Sequence, residues 1–185
     1  MNRRFSINFA ALVLAAMVTL ASAAPALAET TAALDSSARN AYSKLVAKVP
    51  AAREINKRAV AVLVFPKITK AGLVIGGQYG EGVLLRKGQT VGYYSTAGAS
   101  YGLQAGAQQF GYAMFFMDEK ALVALTETDG FEVGVGPSVV VVDEGMAKSA
   151  SSMTMQDDIY AFIFSQKGLM AGVGLQGNKI TKLSK

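Results

Sequence analysis

Residues Gly98 to Met117 read GASYGLQAGAQQFGYAMFFM, and the reading of this stretch decides the fold. It is too apolar for a loop and too rich in glycine for a helix, where each glycine costs about 1 kcal/mol against alanine. Tyr101, Leu103, Ala105 and Ala107 fall on one parity, and Ser100, Gly102, Gln104 and Gly106 on the other, which is the period of a strand. After Gln108-Gln109 the large side chains switch parity to Phe110, Tyr112, Met114 and Phe116. That switch predicts a bulge or bend at the two glutamines, within one Gly-kinked strand. Gly98-Ala99-Ser100-Tyr101-Gly102 also fits G-x-S-x-G, the nucleophile elbow of serine hydrolases. That chemistry needs a base beside the serine, normally histidine, and the 185-residue chain has none. A lysine base would serve in its place, but nothing in the sequence positions one, so the bent strand is the better reading.

Working outward, residues 29 to about 49 predict an amphipathic helix. Leu34, Ala38, Tyr42, Leu45, Val46 and Val49 recur at spacings of three and four, and Asp35 or Ser36 stands ready to cap it. Arg39, Asn40, Ser43 and Lys44 fill its wet face, and Pro50 ends it or opens the next turn. Ala51 to Ala59 is a short, basic, helix-prone segment. Val60 to Phe65 has strand length and is stopped by Pro66, so Lys67 to Gly72 reads as a turn or one helical turn. Leu73 to Leu85 reads as a bent strand, or two strands broken near Gly80. Arg86-Lys87-Gly88-Gln89 is a hairpin signal that returns Thr90 to Thr96 across it.

Beyond the central stretch, Asp118 caps a helix running to about Glu127, with Asp129-Gly130 as its stop. Phe131 to Val142 is strand, with Pro137 as an interruption or an edge position, and Val139 to Val142 lacks a polar face, which predicts burial on both sides. Asp143 to Asp157 is Ser- and Met-rich and reads as a loop. Ile159 to Phe164 is an apolar strand, Ser165 to Gly168 a turn, Leu169 to Leu175 a further strand, and Lys179 to Lys185 a short basic end. About seven strands with hairpin-length links give an α+β fold: N-terminal helices plus a strongly curved, mostly antiparallel, Gly-rich sheet, a partial or closed barrel.

Composition narrows the chemistry. Arg3 and Arg4 precede an apolar run from Phe9 to about Leu20, and Ala26-Leu27-Ala28 is an A-x-A cleavage site. Residues 1–28 therefore read as a secretory signal peptide, and 29–185 as the mature domain, exported to the periplasm or beyond. There is no cysteine, which excludes disulfides, thiolate metal sites and thiol nucleophiles; with histidine absent too, zinc and copper lose their usual ligands. No cofactor or metal is expected. The formal charge of +5 falls when the leader arginines leave, which permits an anionic partner without demanding one.

Two further motifs dissolve on inspection. Gly172-Val173-Gly174-Leu175-Gln176-Gly177 matches G-x-G-x-x-G, but no helix-length segment and no acid follow it, so it is strand and turn, not a dinucleotide site. Asp118/Glu119, Asp143/Glu144 and Asp157/Asp158 are adjacent pairs, and neighbours on a strand face opposite sides. They form no catalytic dyad; a glycosidase using two distant carboxylates is specified by nothing in the sequence. The basic segment is more informative. Arg53, Lys57, Arg58, Lys67 and Lys70 lie close together with one acid among them, Glu54, and a helix would put Arg53 and Lys57 on one face. A solvated surface is the plain reading; a seat for phosphate headgroups is the sharper one, since each cation near an anionic membrane contributes about 1 kcal/mol. No nucleic-acid motif accompanies the cluster.

Val64-Phe65-Pro66-Lys67, Gly76-Gly77-Gln78-Tyr79-Gly80-Glu81-Gly82, Gly102-Leu103-Gln104-Ala105-Gly106-Ala107-Gln108, Tyr160, Phe164-Ser165 and the run from Lys167 to Gly177 follow one another in the order and spacing of a SYLF domain, which the chain resembles over nearly all of its mature length. The resemblance implies a lipid-binding module and no enzyme: eukaryotic SYLF members bind phosphoinositides and other anionic phospholipids, and some fungal members bind and bundle actin. In eukaryotic members a basic, amphipathic N-terminal region meets lipid, and Arg53, Lys57, Arg58, Lys67 and Lys70 occupy that region here, Lys67 inside a matching motif. A signal peptide, and no SH3 or FYVE neighbour, argue against actin as partner. The expectation is a peripherally membrane-associated domain that binds anionic phospholipid, with a cell-envelope structural or protein-interaction module as the alternative.

Overall fold

The structure is a computed structural model that describes residues 30–72, 75–101, 106–128, 130–142, 156–168 and 177–185. Helices α1 (Thr31–Lys48) and α2 (Pro50–Asn56) lead into strands β1 (Ala61–Gly72), β2 (Ile75–Arg86), β3 (Gln89–Tyr101) and β4 (Gly106–Phe116). Helix α3 (Glu119–Thr126) follows, then β5 (Phe131–Glu132), β6 (Val139–Val142), β7 (Ile159–Gly168) and β8 (Lys179–Leu183). The strands form one sheet in the order β5-β8-β3-β2-β1-β4-β7-β6. Every pairing is antiparallel except β6 with β7. The α+β class and the curved, mostly antiparallel sheet are as the sequence predicts, and the sheet curls into a half-barrel.

One hydrogen bond reports the curl. Tyr112 on β4 donates its hydroxyl to Thr96 Oγ1 on β3 at 3.3 Å. Two strands, β2 and β1, lie between them. In a flat sheet three strand spacings put those backbones roughly 14 Å apart, beyond the reach of a tyrosine and a threonine. The sheet must bend inward along this face. Burial pushes the Tyr112 hydroxyl well above the usual phenol range, the contact with Thr96 offsetting only part of that, so it stays a donor.

The two faces carry two cores. Inside the curl, Leu63, Phe65, Ile68, Leu84, Tyr94, Phe110, Tyr112, Met114 and Phe116 pack with Ala121, Leu122 and Leu125 of α3. Outside, Val62, Val64, Val83, Leu85, Ala113, Phe115, Tyr160 and Phe162 pack under Leu34, Ala38 and Leu45 of α1 and Ala51, Ala52 and Ile55 of α2. Alternation along each strand sends successive residues to opposite cores. The large even-numbered side chains of β4 therefore line the inside, as the sequence predicts, while Ala113 and Phe115 between them are equally buried outside. Glycines make room for the inner aromatics: a Cβ on Gly82 would stand 2.6 Å from Phe65 and 2.7 Å from the Val64 carbonyl, and one on Gly80 2.6 Å from Ile68.

Several expectations are corrected. Gly98–Met117 is not one kinked strand: it holds the end of β3 and all of β4, which lie on opposite sides of the β2–β1 pair. The bulges sit in the neighbours of β4 instead. Between Val64 and Lys67, and between Phe65 and Ile68, β1 spends one more residue than its partner, and β7 does the same opposite Gln109–Gly111. Pro66 thus does not stop β1. It occupies the bulge, where its missing N–H costs no ladder bond. Ser165, at φ 54°, marks the bulge of β7, so Ser165–Gly168 is strand and not turn. Gly80 does not break β2. Thr30, not Asp35 or Ser36, caps α1, accepting from Ala33 N. Asp35 lies a turn further in and accepts from Thr90 Oγ1 at 2.9 Å, a threonine that also accepts from Arg39. Val139–Val142 is an edge strand, half-buried except at Val142. Among the described residues there are eight strands, the last being β8 in the segment that reads as a basic end. The hairpin at 86–89 is as predicted, with Lys87 at φ 49° and Gly88 at φ 77°, the left-handed pair that tight hairpins use. Asp118 caps α3, accepting from Ala121 N at 2.7 Å. The signal peptide, the loop from Asp143, the strand from Leu169 and most of the G-x-G-x-x-G run lie outside the described residues.

Candidate anion-binding groove

The five basic residues singled out from the sequence do not share one surface. Arg53 turns back on the end of α1, its guanidinium donating to the carbonyls of Val46 at 3.2 Å and Ala47 at 2.6 Å. Those are among the last carbonyls of α1, which have no partner within their own helix, so Arg53 caps it from α2. Lys57 follows the last turn of α2 and pairs with Glu54 at 2.8 Å, both side chains more than half exposed. Arg58 follows it and is exposed. Lys67 and Lys70 both lie on β1, but three residues apart after the bulge, and hence on opposite faces. Lys67 is exposed on the outer, helix-bearing face. Lys70 shares parity with buried Ile68 and points into the half-barrel, where it is half-buried.

What the fold does bring together is a different set of lysines. A groove of about 420 Å³ runs between α1 and β7, lined by Ala41, Lys44, Leu45 and Lys48 of the helix and by Phe162 to Gln166 of the strand. A second hollow of about 280 Å³ continues it past Lys44 to Pro66 and Lys67. Lys44 and Lys48 are four apart on α1 and therefore on one side of it. The bulge at Ser165 and the one at Pro66 stand side by side across Gly111, where a Cβ would be 2.4 Å from the Phe164 ring and 2.9 Å from the Pro66 carbonyl. Two bulges and one glycine thus bend the outer face away from α1 and open the groove. Its floor is Phe164 and its walls are aliphatic lysine stems and polar backbone.

The charge in the groove is of one sign. Lys44, Lys48 and Lys67 line it, Lys167 follows two residues after Ser165 on the same outer face, and no carboxylate lines either hollow. The nearest acid by register is Glu81, opposite Lys67 on β2, and its carboxylate is taken by Lys185 and by the Tyr79 hydroxyl. None of the salt bridges among the described residues uses Lys44, Lys48 or Lys67. The i,i+4 spacing of Lys44 and Lys48 was available from sequence, by the argument applied to Arg53 and Lys57; their convergence with Lys67 depends on the bulge at Pro66 and was not. Among the described residues no cluster of acids, histidines or cysteines could hold a metal ion, and no helix is long and apolar enough to cross a membrane.

Residues 97–185 match the family model described as Ysc84: Las17-binding protein actin regulator. No curated protein matches the chain. The matched span begins near the end of β3 and holds β4 to β8, but β4 pairs with β1 and β8 pairs with β3. Its strands join into one sheet only through β1, β2 and β3, which carry the motifs at Val64–Lys67 and Gly76–Gly82 that resemble the same domain. Residues 97–185 thus match the Ysc84, or SYLF, domain family.

Proposed function

We infer that this protein binds anionic phospholipid at the α1–β7 groove, by charge and not by catalysis. The observation that carries the reading is that Lys44, Lys48 and Lys67, from two elements, line two adjoining hollows that share Lys44 and Phe164 and have no lining acid. Three cations along the groove neutralise one or two phosphates, while Phe164 and the lysine stems meet the glycerol or upper acyl region. Arg53 is occupied as a helix cap and Lys57 by Glu54, so both contribute field more than contact. The match of residues 97–185 to the SYLF family supports a lipid surface as the ligand. The expected exported location places phospholipid headgroups within reach. Nucleic acid and actin are not expected partners.

Flotation of the domain with vesicles of phosphatidylcholine, with and without phosphatidylglycerol, tests this. Recovery should depend on the anionic lipid and fall with salt. Reversing Lys44 and Lys48 to Glu should weaken it about tenfold or more, given about 1 kcal/mol for each cation at the surface. Reversing Lys57 and Arg58 should cost less. Equal recovery with neutral vesicles would sink the proposal.

A protein-interaction module in the cell envelope is the second reading. It is favoured by β6, which among the described residues ends the sheet with one ladder unpaired and is suited to strand addition. The family's description as a Las17-binding protein also names a protein partner for that family. Stoichiometric capture of one protein without vesicle binding would favour it.

A further inference from the structure

The inner face of the half-barrel changes character at one end. Below, it is aromatic and aliphatic; above Ile68 and Phe110 it turns polar along a single row. Lys70 on β1 is directly paired with Gln78 on β2 and with Gln108 on β4. Gln78 is in turn paired with Gly98 on β3. Asn178, just before β8, places its Oδ1 where a Cβ on Gly98 would be, 1.9 Å away, and Gln78 Nε2 is 3.5 Å from the same point. Gln78, Gln108 and Asn178 are 7%, 3% and 2% exposed. Two of their atoms, Gln108 Oε1 and Asn178 Nδ2, have no hydrogen-bond partner among the described residues. A buried polar atom left so costs about 1–3 kcal/mol, and a sheet that could have placed leucine there has kept amides.

The next rung outward has no side chains on its central strands. Gly72 on β1 pairs with Gly76 on β2 and with Gly106 on β4, and all three share the parity of Lys70. Gly106 is exposed, and Gly72 and Gly76 are half-buried. A bare backbone floor therefore adjoins a row that offers one cation, an orphan amide donor and an orphan amide acceptor, with no carboxylate in it. The acceptor, Gln108 Oε1, asks for a hydroxyl or N–H on the ligand; Asn178 Nδ2 and Lys70 Nζ ask for oxygens carrying negative charge.

The geometry points to a second binding site inside the half-barrel, formed by Lys70, Gln78, Gln108 and Asn178 over the Gly72–Gly76–Gly106 rung, for a small phosphate ester that also carries a hydroxyl. The phosphate meets Lys70 and Asn178, and the hydroxyl donates to Gln108. This site lies on the opposite face of the sheet from the α1–β7 groove and stands or falls separately from it. The same chemistry is offered by a free glycerol phosphate and by the headgroup of a phosphatidylglycerol.

Thermal unfolding of the mature domain with sn-glycerol 3-phosphate, and separately with phosphatidylglycerol vesicles, tests it. Ligand that binds only the folded state raises the midpoint in proportion to the logarithm of its concentration. In the Lys44→Glu/Lys48→Glu background, where the groove no longer holds vesicles, a rise with soluble ester marks a free metabolite and a rise with vesicles alone marks a headgroup; in either case Lys70→Met or Gln108→Leu should weaken it about tenfold or more. Gln108→Leu carries the discriminating readout. Without ligand it should unfold at or above the wild-type temperature, because it removes an unpaired buried group, whereas a structural glutamine would lower it. Lys70→Met, at a half-exposed position, should leave the fold intact and weaken binding about tenfold or more. Lys44→Glu/Lys48→Glu should leave the response to soluble ester unchanged. No response to either probe in the Lys44→Glu/Lys48→Glu background, or a response there that Lys70→Met leaves unchanged, would overturn the proposal.

Discussion

The two faces of this sheet are built from the same strands yet do opposite things with polar groups. On the outer face, charge stays in solvent: Lys44, Lys48 and Lys67 rim a shallow groove, and the core beneath is sealed by α1 and α2. On the inner face, polar groups go under cover: Thr96 and Tyr112 satisfy each other across the curl, while Gln108 and Asn178 are buried with atoms left over. The outer face suits large, loosely defined anionic surfaces, where many weak contacts add. The inner face suits something small that fits a fixed set of donors and acceptors. One sheet thus carries an exposed cationic rim on one face and buried amides on the other.

The largest effect should come from separating the faces energetically. Phe115 stands edge-on to Phe162 at 5.5 Å between ring centroids and lies 6.5 Å from Tyr42 of α1, so it couples helix to sheet. Phe115→Ala should cost about 3–5 kcal/mol in urea unfolding. If the outer layer were only draped on an independently stable half-barrel, the loss would be much smaller, with the helical signal melting before the sheet. Gly82→Ala attacks the inner face instead. Its Cβ would meet the Val64 carbonyl and the Phe65 ring at under 3 Å, and Phe65 packs on Tyr112 at 4.8 Å. Overpacking of this kind costs about 1–3 kcal/mol. The groove should keep its affinity for vesicles in this variant, once measured below its unfolding transition.

Tyr112→Phe probes the curl with a smaller change. The ring and its packing remain, and only the 3.3 Å bond to Thr96 is lost. The expected cost is about 0.5–1.5 kcal/mol, the net worth of one hydrogen bond. A value above Gly82→Ala would mean that the bond, more than the glycine-for-aromatic exchange, holds the half-barrel closed.

Most of the fold was legible because it depends on period and punctuation. The parity of Phe110, Tyr112, Met114 and Phe116, the Lys87-Gly88 hairpin and the Asp118 cap are local signals, and each is where the residues said it would be. What was not legible is non-local. Pro66 looks like a stop because its ring removes a donor, but a bulge with strands on both sides makes that loss harmless. Gly98–Met117 looks like one strand because its pattern is continuous, although β3 and β4 pair with different partners. The basic residues suffered likewise. Closeness in sequence suggested that Lys67 and Lys70 act together, but three residues along a strand reverse the side on which they stand. Lys44 looked like wet-face solubility until β7 was placed beside it. Strand order, which no local pattern reports, decides which lysines meet.

The seam between β6 and β7 offers the finest test of how each face is held at its edge. Asp158 Oδ2 accepts from Ser138 N at 2.8 Å and from Ser138 Oγ at 3.0 Å, and Asp158 N donates to Ser138 Oγ at 2.9 Å. This clamp sits where the parallel pair begins, with Ile159 N bonded to the Ser138 carbonyl. The Ser138 backbone N–H, then its hydroxyl, hold the Asp158 carboxyl below its ordinary range, with a smaller contribution from Lys120. A lowered folded value means the unfolded chain binds the proton more readily, so the clamp stabilises the fold above the ordinary aspartate pKa of about 3.9 and stops doing so as pH falls through the folded value beneath it. Asp158→Asn should therefore lower the urea midpoint slightly near neutral pH, and the difference from wild type should shrink on acidification below about pH 4. The group is exposed, so the change is small and screened by salt. A difference that stays constant with pH would assign the clamp to geometry alone. The edge of the sheet would then be held by the shape of the turn at Ser138, and acid would have no purchase on β6, the strand through which a second protein would join.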